Sequence, residues 1–261
     1  NHYLKDYAYR ITLGWDIFAG VALFISLIAL LTNMFLGLSI GANILAARYF
    51  GAHEDEELSK TVHTSILLSL YSGVFLTVVG ILGARTILIW MQCPANVLDL
   101  ATLYLRIYFA GMTATMLYNF GAAILRSVGD TKRPLYFLCL SSVMNIGLDL
   151  LFVVGFGMAI EGVAYATIIS QFVSAILVLI VLTRSTENYR LTWKDLRIDK
   201  KIFRQILMVG LPTGFQQSLT SFSNVYVQSY INTFGSSCMA GWSSYSKIDQ
   251  FVFLPMQSIG Q

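Results

Sequence analysis

The chain has 261 residues and a net charge of +3; 56% of its residues are hydrophobic and only 12% are charged. Soluble domains run at about 45–50% apolar and about 25% charged, so this chain has too little charge to cover a water-soluble globule of its size. That excludes an ordinary cytosolic enzyme, a disordered chain and a nucleic-acid binder, and leaves an integral membrane protein.

Apolar runs of helix-spanning length fit a bilayer core about 30 Å thick. The short alternating segments of a β-barrel do not occur. Seven spans are predicted, at about 17–47, 61–90, 100–125, 134–154, 162–182, 205–232 and 239–261. The chain does not start with Met and stops inside an apolar segment, so it is expected to be part of a longer protein.

The first span carries Gly37 and Gly41, a spacing that favours close helix contact, and Gly51 is expected to cap its C-terminus. The run His53-Glu54-Asp55-Glu56-Glu57 lacks the spacing of a zinc-protease helix and reads as a solvated loop. Cys93, Cys139 and Cys238 form no CxxC pair and read as structural thiols. After the third span, Gly129 suits a C-cap. Asp130 or Thr131 then suits the next N-cap, with Pro134 near the first turn. Gly155, Gly157 and Gly162 bracket a tight hairpin between the fourth and fifth spans. Residues 183–204 are long, polar and basic, which suggests a boundary between two helical bundles. In the last span Lys247 and Asp249 fall on different faces, and Pro255 predicts a kink.

The basic residues set the orientation. Arg48, Lys60, Arg126, Lys132, Arg133 and the seven from Arg184 to Arg204 all fall in loops on one side. The opposite loops, around 91–99, 155–161 and 233–238, carry none, and only Lys5 and Arg10 break the pattern. The basic loops are therefore expected in the cytoplasm.

Ionisable groups within spans are costly and mark function. Asp149 stands 15 residues past Pro134, or ~22 Å from the cytoplasmic end at the helical rise. Asn145 lies one turn before it, on the same face. Folding the hairpin about Met158 sets Asp149 level with Thr167, Asn145 with Gln171, and Ser142 with Ser174. Tyr104, in the preceding inward span, reaches a similar depth. Such a layer of carboxylate, amide, hydroxyl and phenol oxygens suits a proton or a hard cation such as Na⁺; interhelical hydrogen bonding is the plainer alternative. The sixth span bears a second polar stripe of Thr213, Gln217, Ser221, Asn224, Gln228 and Asn232, which in lipid must face protein or a wet cavity. No nucleophile–base pair or metal cluster suggests an enzyme.

Taken together, several stretches resemble the prokaryotic multidrug and toxic compound extrusion (MATE) transporters. They are Gly37-Leu38-Ser39-Ile40-Gly41-Ala42, Arg48-Tyr49-Phe50-Gly51-Ala52, Tyr104 to Asn119, Ala123 to Pro134, Asn145 to Leu151, Gly162 to Gln171, and Leu211-Pro212. The resemblance runs over about residues 19–261, and residues 1–18 depart from the pattern. It implies an all-α, polytopic membrane bundle: about seven transmembrane helices, the second to the eighth, of a two-lobed twelve-helix transporter. Residues 1–182 would be an incomplete N-lobe, 183–204 the cytoplasmic interlobe linker, and 205–261 the start of the C-lobe.

The implied activity is export of small organic, mainly cationic, substrates across the inner (plasma) membrane by alternating access, driven by inward H⁺ or Na⁺, with no other cofactor and with a monomer expected. Asn145, Asp149 and Thr167 match three of the family's cation-site positions, so the resemblance implies them as the ligands where Na⁺ is the coupling ion. The fourth, an Asp on the first helix, has no counterpart here. Gln217, Asn224, Gln228 and Asp249 are expected along the substrate pathway, with the Asp249 match the looser one. A lipid-linked glycan flippase would ask for more cavity cations than Arg85, Arg106 and Lys247. A seven-helix receptor would need no further spans.

Overall fold

The computed structural model describes residues 32–90, 95–157 and 160–232. These form seven helices: α1 (Thr32–Gly51), α2 (Asp55–Trp90), α3 (Ala95–Ala110), α4 (Met112–Ser127), α5 (Lys132–Leu150), α6 (Ile160–Arg184) and α7 (Lys200–Asn232). The expected all-α bundle of membrane-spanning helices is the fold found. α1, α2, α5 with its π-turn, and α6 each hold a stretch long and apolar enough to cross a membrane. The chain clusters into two compact units, residues 1–218 and 219–261, and only the end of α7 is described in the second.

Several boundaries differ from the sequence expectation. α1 runs through Gly51, and the turn is taken at His53, whose φ of 57° puts a non-glycine residue in the left-handed region. Asp55, Glu56 and Glu57 are not loop residues but the first turn of α2, where their charge complements the helix dipole. Lys60 reaches back to Glu56 at 2.7 Å. The span expected at 100–125 is broken at Gly111: its N–H bonds Tyr108 O at 3.1 Å, only three residues back, so α3 ends and α4 restarts. Gly129 does close α4, at φ 87°, with the Asp130 N–H returning to Leu125 O. Thr131 holds the N-cap position of α5 without a side-chain bond, and Asp130 Oδ1 just before it accepts the Arg133 N–H of the first turn.

α4 is the central helix, packed on α2 and α6, with its run from Phe120 to Leu125 wholly buried. The main core joins Leu58 and Val62 of α2, Phe120 and Ile124 of α4, Leu182 of α6, and Ile202 and Ile206 of α7. α5 is the opposite case. Only Pro134 and Ser141 are buried, and the helix packs chiefly on α6. Large apolar side chains facing outward would be costly in water. In hydrocarbon they need no cover.

α1 and α7 meet backbone to backbone. A Cβ on Gly37 would stand 2.3 Å from Gly214 Cα, and one on Gly41 2.9 Å from Gly210 N. The Gly37/Gly41 spacing on α1 thus faces a Gly210/Gly214 spacing on α7, so each helix meets the other without side chains between them. Nearer the helix ends, Tyr49 donates to Gln205 Oε1 at 2.9 Å.

The basic stretch 183–204 is an ordered strap. The Leu191 N–H bonds Leu182 O at 2.9 Å, Tyr189 and Leu191 are buried, and Asp199 Oδ1 caps α7 through the Lys201 and Ile202 N–H groups. His63, only 3% exposed on α2, pins it. Nδ1 lies 2.7 Å from Ser59 O, which requires a proton on Nδ1 and leaves Nε2 to accept the Thr192 N–H at 3.1 Å. Thr64 Oγ1 accepts the Asp199 N–H in the same seam. Replacing His63 by Leu orphans that Thr192 donor, at a cost of about 1–3 kcal/mol. Limited trypsin digestion of the full-length protein is expected to cut faster at Arg190, Lys194 and Arg197 in H63L than in the parent.

Candidate functional site

α5 and α6 form an antiparallel hairpin whose end is irregular. A turn of π-helix, Leu151–Gly155, carries the Phe156 N–H to Leu151 O. Gly157 then adopts φ 65°, a left-handed conformation open to glycine at little cost. Met158, the expected apex, lies outside the described residues, but the hydrogen bonds between the two helices centre the pairing near Phe156, and the register differs accordingly. Asn145 lies opposite Thr167, not Gln171, and Asp149, expected level with Thr167, is one turn further along: the Asn145 Nδ2 donates to Thr167 Oγ1 at 3.4 Å. Ser141, not Ser142, reaches α6, donating to Ser170 O at 2.9 Å. Ser142 is exposed and bonds back to Leu138 O.

Asp149 follows Asn145 by one turn. Its Oδ1 is wholly buried and has no hydrogen-bond partner. A buried carboxylate oxygen left without a donor costs several kcal/mol unless a proton or cation neutralises it. Thr167 also donates to Val163 O at 2.9 Å, which fixes its oxygen on the α5 side. Asn145, Asp149 and Thr167 thus lie on the facing surfaces of two helices. Tyr104 is half-buried on α3, which packs on α2 and α6, and no hydrogen bond joins it to these three among the described residues.

Gln171 turns the other way. It accepts the Thr115 hydroxyl proton from α4, next to the break at Gly111, and Asn119 Nδ2 donates to Thr115 O at 2.8 Å. Thr115 and Asn119 were not singled out by the sequence, although their i,i+4 spacing inside an apolar run was the available signal. The Q171L variant is expected to lower the thermal unfolding midpoint of the full-length protein in detergent by a few degrees, for a loss of about 1–2 kcal/mol. T115V combined with Q171L should cost less than the sum of the two single changes, because they remove the same bond.

α7 is helical from Lys200 to Asn232, and the described part of its polar stripe, Thr213, Gln217 and Ser221, recurs at about one helical turn. Thr213 donates back to Val209 O, and Gln217 is exposed. The side chains of Asn224 and Gln228, and the whole of Asp249 and Pro255, lie outside the described residues.

The sequence model of the MatE family matches residues 9–151, so it reaches back into the first 18 residues that were expected to depart from the pattern. The chain is 33% identical to the probable multidrug resistance protein YoeA of Bacillus subtilis, over 95% of this chain and 55% of that protein. It thus spans about half the length of the curated relatives it matches. Among solved structures it superposes on an outward-facing multidrug resistance MATE family transporter of the MOP superfamily with a TM-score of 0.81, at 28% identity, over 92% of this chain and 54% of that one. The inward-facing conformation gives 0.73 at the same identity, over 92% and 55%. A family match over more than half of the sequence, on a bundle that superposes on solved relatives, establishes that the chain belongs to the MatE family.

Proposed function

We propose that the full-length protein is a secondary multidrug exporter. It exchanges small organic cations for inward-moving H⁺ or Na⁺ by alternating access, across the plasma membrane and with the 183–204 strap in the cytoplasm. Residues 1–182 and 205–261 belong to its two lobes. Relatives named as multidrug resistance proteins and related structures in inward- and outward-facing forms support this reading. The observation that carries it is the unpartnered, buried Oδ1 of Asp149, one helical turn from the Asn145–Thr167 pair.

The donor set fits either ion. A proton on Asp149 removes the buried charge directly. Na⁺ favours hard oxygens, here the Asp149 carboxylate, the Asn145 amide oxygen and Thr167 Oγ1. An amide that points Nδ2 at Thr167 offers that hydroxyl a donor, so cation binding requires the amide to turn over. The Asn145–Thr167 bond that must break is long, at 3.4 Å, and therefore weak. Coupling follows when the ion favours one lobe conformation and the drug the other.

The test is transport by the full-length protein in proteoliposomes, with H⁺ and Na⁺ gradients imposed separately and a fluorescent organic cation as cargo. Cation export driven by one of the two gradients is expected. Movement of a lipid-linked pyrophosphate without any gradient-driven cation export would replace this reading with the flippase.

A further inference from the structure

We propose that the crevice between the cytoplasmic ends of α5 and α6 binds the phosphodiester headgroup of an anionic phospholipid. The proposal rests on the membrane orientation described above, but not on ion coupling. The crevice holds about 350 Å³ and is lined by Arg133 from α5, Arg184 from the last turn of α6, and Ser185, Thr186 and Glu187 from the strap. The two arginines stand at the same end of the hairpin, because the apolar stretch of α5 begins at Lys132 and that of α6 ends at Arg184.

The wall is held in place. Tyr189 is buried, the Leu191 N–H is tied to Leu182 O, and Arg190 Nε donates to Thr183 O at 3.2 Å. Ser185 Oγ accepts the Glu187 N–H at 3.2 Å, so its own proton points to another acceptor. Arg133 Nε is shared with Asp130 Oδ2 at 3.3 Å, while Arg184 has no carboxylate partner among the described residues. Two guanidinium groups and a hydroxyl around one hollow match the oxygens of a phosphodiester.

The surfaces below the crevice identify the occupant as a lipid rather than a soluble phosphate. From Arg133, exposed apolar side chains continue down the same face of α5 as Tyr136, Leu140 and Val143. From Arg184 they continue down α6 as Ile180, Ile176 and Phe172. Two greasy stripes thus lead from the arginines into the hydrocarbon, where acyl chains would lie. Basic hollows between helices on the cytoplasmic side suit such headgroups. Glu187 opposes the charge of the site and offers a built-in control.

The test is native mass spectrometry of the full-length protein titrated with phosphatidylglycerol or phosphatidylcholine. Phosphatidylglycerol is expected to bind at least fivefold more tightly, and the R133Q/R184Q double variant should lose that preference. E187Q should raise phosphatidylglycerol affinity two- to threefold, which keeps the test decisive if the double variant does not fold. Equal affinity for the two lipids, an unchanged preference in the double variant, or unchanged affinity in E187Q would overturn the proposal. Displacement of phosphatidylglycerol by millimolar inorganic phosphate would also overturn it, in favour of a soluble anion. None of these readings depends on drug transport, so failure here is distinct from failure of the efflux activity.

Discussion

Replacing Asp149 with Asn is expected to abolish gradient-driven efflux by the full-length protein, with at least a tenfold fall in the coupled rate at unchanged expression. The substitution keeps the size of the side chain and removes its charge. In the parent, Oδ1 is buried and unpartnered, so a carboxylate oxygen stands ready for the ion. An ion that binds one lobe conformation about 1.4 kcal/mol better than the other already shifts that equilibrium tenfold. Asparagine carries no charge for an ion to neutralise and no proton to exchange. The variant should therefore fold well and still bind drug, but respond to neither gradient. Purified D149N with an intact melting profile separates this outcome from misfolding.

The second large effect is expected at the α1–α7 crossing. Gly37→Ala would place a Cβ 2.3 Å from Gly214 Cα, and Gly214→Ala one 2.7 Å from Met34 Cα. Backbone atoms cannot swing aside as the end of a side chain can, so the helices must separate. Overpacking of this kind costs about 1–3 kcal/mol for a methyl-sized group. Gly37→Leu should cost more than Gly37→Ala and lower the unfolding midpoint and the yield together. Gly147→Ala on α5 is the control: nothing lies within 4 Å of its added Cβ, and a residue of higher helix propensity replaces glycine. Equal melting of G37A, G147A and the parent would refute this account of the crossing.

The helices and the site were legible in the sequence to different depths. Asn145 and Asp149 could be read as one surface because four residues make nearly one helical turn whatever the surroundings. Thr167 could be read as their partner across the hairpin, but only approximately. Its level depends on where the chain reverses, and that is decided by the π-turn and by the positive φ of Gly157. A shift of two residues in the apex moves the facing residue by four, which took Gln171 away from Asn145 and gave it to Thr115.

The break at Gly111 had no local signature, since one glycine in an apolar run is compatible with a continuous span. In the fold Gly111 lies against α6, where an added Cβ would stand 3.0 Å from Ile168 Cγ1. The strap was legible as a basic boundary but not as ordered structure. The bonds that order it join His63 and Thr64 to residues more than a hundred positions away. The Gly37/Gly41 motif was weak alone and became informative once Gly210 and Gly214 were found against it.

The central claim is that Asp149, with Asn145 and Thr167, holds the coupling ion that drug binding expels. The most direct test follows ion release from the full-length protein in detergent as a fluorescent organic cation is titrated in, with a pH indicator for H⁺ and a Na⁺-selective electrode for Na⁺. The account predicts close to one ion released per drug bound in the parent and none in D149N, with drug binding retained. Undiminished release from D149N would contradict it.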